Sequence, residues 1–129
     1  PTRDGSCIRD FIHICDLAHA HTLALTYLEK HQAPEACDVF NIGTGNGISV
    51  LEAIAAFERA NGMRLDYAVG PRRPGDVPAI YANRDKAQRE LGWEPRFSLD
   101  EIMRTAWHWE QKLADSQGET YRLRNFKFN

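Results

Sequence analysis

The chain has 129 residues, 43% of them hydrophobic and 26% charged, with a formal net charge of −2. That length and composition fit one ordinary globular domain with enough chain for a core. Near-neutrality gives no reason to expect nucleic acid or an anionic membrane as partner, and no apolar run approaches the roughly 18 residues of a membrane span.

Three cysteines, Cys7, Cys15 and Cys37, are odd in number and lack a C-x-x-C spacing. They fit a reducing compartment rather than a disulfide framework. The chain starts at Pro1 without Met, which fits processing, cleavage or truncation, and shows no signal-peptide pattern. Arg122, Arg124 and Lys127 form a small basic tail that reads as a solvated end.

In chain order, the alternation in Ile8–Ile14 predicts a short strand. Asp16 then stands as an N-cap before a helical stripe of Ala20, Leu23, Ala24, Tyr27 and Leu28, closed in the region of Pro34. Val39–Ile42 is a short buried-strand candidate, followed by the glycine loop Gly43–Gly47. Ser49 and Glu52 form an S-x-x-E capping box, and Asn61-Gly62 ends the helix it opens. Leu65, Tyr67 and Val69 alternate with Asp66 and Ala68, which predicts a third strand. Asn83 caps a short helix through Leu91, stopped by Gly92. Ser98 and Glu101 make a second capping box before Ile102, Ala106, Trp109 and Leu113. Strands alternating with about four helices predict an α/β protein with a parallel sheet. Three short strands are few for such a sheet, so the pattern reads as part of a larger fold or the smaller lobe of one.

Several constellations invite a chemical reading. "NIGTGNGIS" follows a strand and precedes a helix, as a dinucleotide-binding loop does. Its spacing is G-x-G-x-G, however, with Ile48 where a third fingerprint glycine belongs, and Asp66 falls inside an alternating stretch rather than at a strand end. A tight strand-to-helix turn needing positive φ is the plainer reading of the loop. His19 and His21 in "AHAH" point about 200° apart on a helix, so they cannot share a metal. Trp107 and Trp109 lie among helix-spaced apolar residues and read as packing. No G-x-S-x-G occurs.

More informative is "PRRPGDVPAIYAN", residues 71–83. Guanidinium forks hold phosphate oxygens in pairs, and Pro74-Gly75 fixes a turn that directs the flanking side chains. An acid beyond such a turn can accept hydrogen bonds from hydroxyls such as those of a ribose. A surface turn in which Arg72 or Arg73 pairs with Asp76 accounts for the same spacing.

Together, "RDFIHICDLAHAH", "VFNIGTGNGISVLE", "PRRPGDVPAIYANRDKAQRELGW" and "LDEIMRTAWHWE" resemble the C-terminal portion of UDP-glucose 4-epimerases, in register from about Gly5 to Lys112. These enzymes belong to the extended short-chain dehydrogenase/reductase superfamily. The resemblance implies an α/β fold, the C-terminal part of a Rossmann-like enzyme with an incomplete parallel sheet and a substrate-binding lobe. It implies that residues 1–129 form one substrate-binding portion, the N-terminal NAD-binding domain lying elsewhere. The family inverts C4 of the hexose in UDP-glucose and UDP-galactose: NAD takes hydride from C4, the keto sugar turns over, and hydride returns to the other face. Its catalytic Tyr-x-x-x-Lys pair is not in this chain, since Tyr27, Tyr67, Tyr81 and Tyr121 are followed four residues on by His31, Pro71, Asp85 and Asn125. No turnover is expected of the chain by itself.

By register, the resemblance makes Arg9 and Arg73 ligands of the UDP phosphates, Asp76 a ribose ligand and Ile80 part of the sugar pocket wall. It moves the glycine loop towards a structural role, and leaves Arg72 without one. It further implies a cytoplasmic isomerase, homodimeric at full length, with NAD as cofactor and UDP-sugars as substrates, acting in galactose metabolism. The alternatives are a dehydratase or decarboxylase of the same superfamily, or a non-catalytic nucleotide-sugar-binding module.

Overall fold

A computed structural model describes residues 2–31 and 37–116. Pro34 and the basic tail of Arg122, Arg124 and Lys127 lie outside the described residues. Two strands, β1 (Ile8–Arg9) and β2 (Ile48–Ser49), pair antiparallel, with Ile8 opposite Ser49. The longer helices are α1 (Ile14–Lys30), α2 (Val50–Asn61) and α3 (Leu99–Ser116), and a short π-helical segment spans Ala87–Leu91.

The expected parallel sheet reduces, among the described residues, to a single parallel bridge between Ile8 and Ala79. Neither Val39–Ile42 nor Leu65–Val69 forms a hydrogen-bonded strand. A strand exists only through its neighbour, and the described residues offer neither segment one. Phe40 and Ile42 instead pack as partly buried side chains against the core, whereas Val69 is exposed.

Helix α1 begins one turn earlier than its sequence suggests. Its N-cap is His13, whose Nδ1 accepts the Cys15 amide at 3.1 Å. That leaves the ring proton on Nε2, 2.9 Å from Thr105 Oγ1, while the ring stacks on Phe97 at 3.9 Å. Asp16, which the sequence marks as the cap, turns inward and is buried. Its carboxylate accepts the amides of Arg96 and Phe97 at 3.1 and 3.2 Å, satisfying the chain just ahead of α3. Beside it, Trp93 is fully buried against Ala20 and Ala87 and donates Nε1–H to the Asp16 carbonyl at 2.9 Å. Gly92 takes the left-handed conformation, φ 67°, that ends the π-helical segment and turns Trp93 back towards it.

Around α2 the sequence signals hold. Ser49 and Glu52 form the capping box, and Gly62 at φ 63° closes the helix. Ala53 and Ala56, both buried, allow α3 to approach closely, and Phe57 meets Trp107 edge-on at 5.7 Å. Ser98 and Glu101 cap α3 reciprocally at 2.8 and 3.3 Å. Two residues beyond Trp107, Trp109 faces the other way and is 61% exposed, so it contributes no core packing among the described residues.

The α2 cap is tied to the chain start by Arg3, which donates Nε–H to Glu52 Oε1 at 2.7 Å and also pairs with Oε2. Hydrogen bonding from Arg3, then from the Ser49 amide, lowers the Glu52 carboxyl from the usual 4.5 to about 2. A carboxyl depressed by folding contributes stability that is complete above pH 4.5 and lost as the pH falls towards 2. Glu52→Gln is therefore expected to flatten the acid-unfolding profile between those values. Because both side chains are nearly half exposed, salt should shrink the difference. An acid limb identical to that of the unsubstituted chain would contradict the pairing.

Candidate functional site

Strand β1 is flanked on both sides. β2 pairs along one edge, and along the other the Ile8 amide donates to the Pro78 carbonyl at 2.8 Å while the Ile80 amide donates to the Ile8 carbonyl at 3.1 Å. Side chains alternate across such a ribbon. Ile8, Ala79 and Tyr81 face one way, lining a cleft of about 370 Å³ with Gly45–Gly47. Arg9 and Ile80 share the opposite face.

On that opposite face the turn at residues 73–76 meets β1. Gly75 at φ 86° occupies the left-handed region that only glycine enters freely, and the Asp76 amide donates to the Arg73 carbonyl at 3.3 Å. The Asp76 carboxylate thereby sits between two cations, with Arg73 Nη2 at 3.3 Å and Arg9 Nη2 at 3.6 Å from its Oδ1. Arg9 is further held by donating to the Val77 carbonyl at 2.8 Å. Arg72 donates to the Asp76 carbonyl at 3.2 Å, which bridges its own turn. Arg73 has 69% of its side chain exposed, against 31% for Arg9 and 26% for Asp76, so it is the freest of the three to reorient. Ile80 is also open, at 59%.

The structure thus brings Arg9, Arg73 and Asp76 together across a long separation in sequence, with Ile80 on the same face. The arginine–acid pair foreseen as the plain explanation of the turn is present. It is compatible with binding, because a diphosphate entering beside Arg9 and Arg73 exchanges one anion for another and frees carboxylate lone pairs for hydroxyl donors. Neither the 370 Å³ cleft nor another of about 400 Å³ near Thr44, Asn83 and Arg84 is lined by these residues. Among the described residues, Arg9, Arg73, Asp76 and Ile80 form an open surface.

The glycine loop is occupied from within. Thr44 donates its amide to Asp10 Oδ1 at 2.9 Å along with its hydroxyl, and the Gly45 amide donates to Oδ2 at 3.2 Å. A third segment joins through the Ala82 amide, 3.1 Å from Oδ2. Burial pushes the Asp10 carboxyl up, but the Thr44 hydroxyl and the three amides outweigh it and hold it below the usual carboxylate range. Backbone amides that would cradle a pyrophosphate in a dinucleotide-binding loop are spent on this carboxylate. The loop does not fit NAD, and the structural reading of it stands.

Sequence reasoning passed over Asp10. A signal was available: an acid directly after Arg9, in a segment otherwise apolar, could supply the anion that a glycine loop without a phosphate requires. For the histidines, His21 Nδ1 lies 2.8 Å from the Leu17 carbonyl. Among the described residues no group of three His, Cys, Asp or Glu is placed to hold a metal.

A family model described as GDP-mannose 4,6 dehydratase matches residues 1–106. The chain belongs to that family. This member of the GDP-mannose 4,6-dehydratase family is 47% identical over 113 residues to UDP-glucose 4-epimerase 3 of Oryza sativa subsp. japonica, a match covering 87% of the chain and 30% of the relative. A solved UDP-glucose-4-epimerase from Stenotrophomonas maltophila, with bound NAD and formylated UDP-arabinopyranose, superposes with a TM-score of 0.85 at 41% identity, covering 90% of this chain and 34% of that one. The Bifidobacterium longum enzyme in complex with NAD+ and UDP gives 0.75 at 43%, covering 86% and 32%. The described residues are accordingly part of the Rossmann-like α/β fold of extended short-chain dehydrogenase/reductase epimerases. This family member spans about a third of the length of the relatives it matches.

Proposed function

We propose that this chain is the substrate-gripping portion of a UDP-glucose 4-epimerase. The convergence of Arg9 and Arg73 on Asp76 carries the reading, because these are the positions at which the sequence resembles the epimerases' phosphate and ribose ligands. In this reading the two guanidinium forks take the diphosphate, Asp76 accepts the ribose hydroxyls, and Ile80 forms part of the hexose wall. NAD, held by the rest of the enzyme, supplies hydride transfer at C4. The chain's own residues bind and orient the nucleotide sugar. A cytoplasmic homodimer serving galactose metabolism completes the proposal for the full-length enzyme.

In the full-length enzyme, Arg73→Ala is expected to weaken UDP binding by about 1.5–3 kcal/mol, the scale of hydrogen bonds to charged groups. The side chain is exposed, so little stability should change with it. Arg73→Lys should also lose affinity, since a point charge cannot replace a planar fork. Isothermal titration with UDP checks both, and an affinity equal to wild type rejects the assignment. The family's description supports a second reading, a nucleotide-sugar dehydratase. Incubating the full-length enzyme with UDP-galactose decides between them: epimerisation gives UDP-glucose of identical mass, whereas dehydration lowers the product mass by one water.

A further inference from the structure

Four donors from two separate segments close on the one carboxylate of Asp10, and that residue is the chain neighbour of Arg9. An ionised carboxylate has about four lone-pair sites, so all are engaged, and none by a counter-charge. Arg84 reinforces the arrangement from the far side by donating Nε–H to the Thr44 carbonyl at 3.2 Å. Gly43 makes room for it: a Cβ there would run into Asp10 Oδ2 and lie 2.7 Å from the Ala82 Cβ. Ala82 follows Ile80 by two residues, and the same extended segment carries Asp76 at its start.

We propose that Asp10 is a positioning residue for the nucleotide-sugar grip, acting through Arg9 and the segment from Asp76 to Ala82. Its carboxylate pins that segment and the glycine loop to the end of β1. It thereby fixes the separation between Arg9, which leads into Asp10, and the ribose and hexose contacts on Asp76 and Ile80. The loop contributes as a rigid internal anion cradle, and its anion belongs to the protein. This role rests on the proposed reading of the grip as a UDP-sugar site.

The geometry separates Asp10 from a simple stabilising group by what its loss should change. Asp10→Asn keeps the size but replaces an acceptor by an amide donor, which faces the donors already present. In the full-length enzyme this substitution is expected to raise Kd for UDP and KM for UDP-galactose on the order of tenfold, the effect of weakening one charge-assisted contact. The chemical step is carried out by groups elsewhere, so kcat and the affinity for NAD should stay close to wild type. Thr44→Val, which removes the hydroxyl donor, should shift Kd for UDP in the same direction by a smaller factor. Thr44→Ser, which restores the donor, should return it to the wild-type value.

The following outcomes decide the matter. A rise in Kd for UDP with kcat unchanged supports the role. A lowered melting temperature with an unchanged Kd for UDP overturns it and leaves Asp10 a structural residue. If Asp10→Asn does not fold, the contrast between Thr44→Val and Thr44→Ser decides, and equal affinities in those two overturn the role. A wild-type enzyme that binds no UDP overturns the functional reading and this role with it, whereas a wild type that binds UDP as tightly as Asp10→Asn does overturns this role alone.

Discussion

Trp93→Ala is expected to lower the stability of the chain by about 3–5 kcal/mol, the range for removing a buried aromatic side chain. The reason lies in its neighbours. The fully buried residues beside it, Ala20 and Ala87, are too small to fill the space left behind, and the partly buried Ile12, Leu23, Phe40, Ile42 and Leu91 that pack against this cluster lose a wall. The Nε1–H bond to the Asp16 carbonyl is lost as well. Native domains are stable by about 5–15 kcal/mol in all, so this one change consumes much of the margin. Trp93→Phe keeps most of the volume and none of the hydrogen bond, and should fall between the two. Urea denaturation checks the order, and a loss below about 1 kcal/mol for Trp93→Ala, typical of surface positions, would show that the fold is not organised around this residue.

The second large effect is expected at Asp16. Asp16→Ala strips the acceptor from the Arg96 and Phe97 amides, which are partly shielded from water. An orphaned buried donor costs about 1–3 kcal/mol. Two partly buried ones place the expected loss at about 2–4 kcal/mol. Asp16→Asn retains one acceptor and should lose less. Hydrogen exchange offers a local reading, since the Arg96 and Phe97 amides should exchange faster in Asp16→Ala than in the unsubstituted chain. Unchanged protection at both would contradict the role assigned to the carboxylate. Because Asp16 and Trp93 meet directly, their double substitution should cost less than the sum of the singles.

These two residues also mark the boundary between what local pattern announces and what it hides. Asp16 before a helical stripe has the appearance of an N-cap, yet His13 takes that place and Asp16 serves a segment about 80 residues away. A short polar side chain near a helix start satisfies a cap or a distant backbone equally well, and sequence offers nothing to choose between them. The boxes at Ser49–Glu52 and Ser98–Glu101 were legible because both partners lie within one turn. Val39–Ile42 and Leu65–Val69 have strand-like sequences without strand pairing among the described residues, since a strand-like sequence reports a face and pairing requires a second chain segment. The candidate site divides in the same way. Arg73, Gly75 and Asp76 stand close together in sequence and suggested an anion and a hydroxyl ligand, whereas Asp10 touches nothing within thirty positions of itself that its carboxylate uses.

By itself the sequence determined the helices that carry their own caps and the glycine-dependent turns at Gly62, Gly75 and Gly92, and it supplied the family resemblance from which the proposed site of Arg9, Arg73, Asp76 and Ile80 is drawn. Those features depend on bonds spanning a few residues or on motifs preserved as linear patterns. Tertiary structure alone decided that β1 pairs antiparallel with β2 and meets residues 78–80 on its other edge, which is what delivers Arg9 to the turn. It also decided that the glycine loop closes on Asp10. A loop's amides donate to whichever anion reaches them, and in this chain the fold supplies one before any ligand arrives.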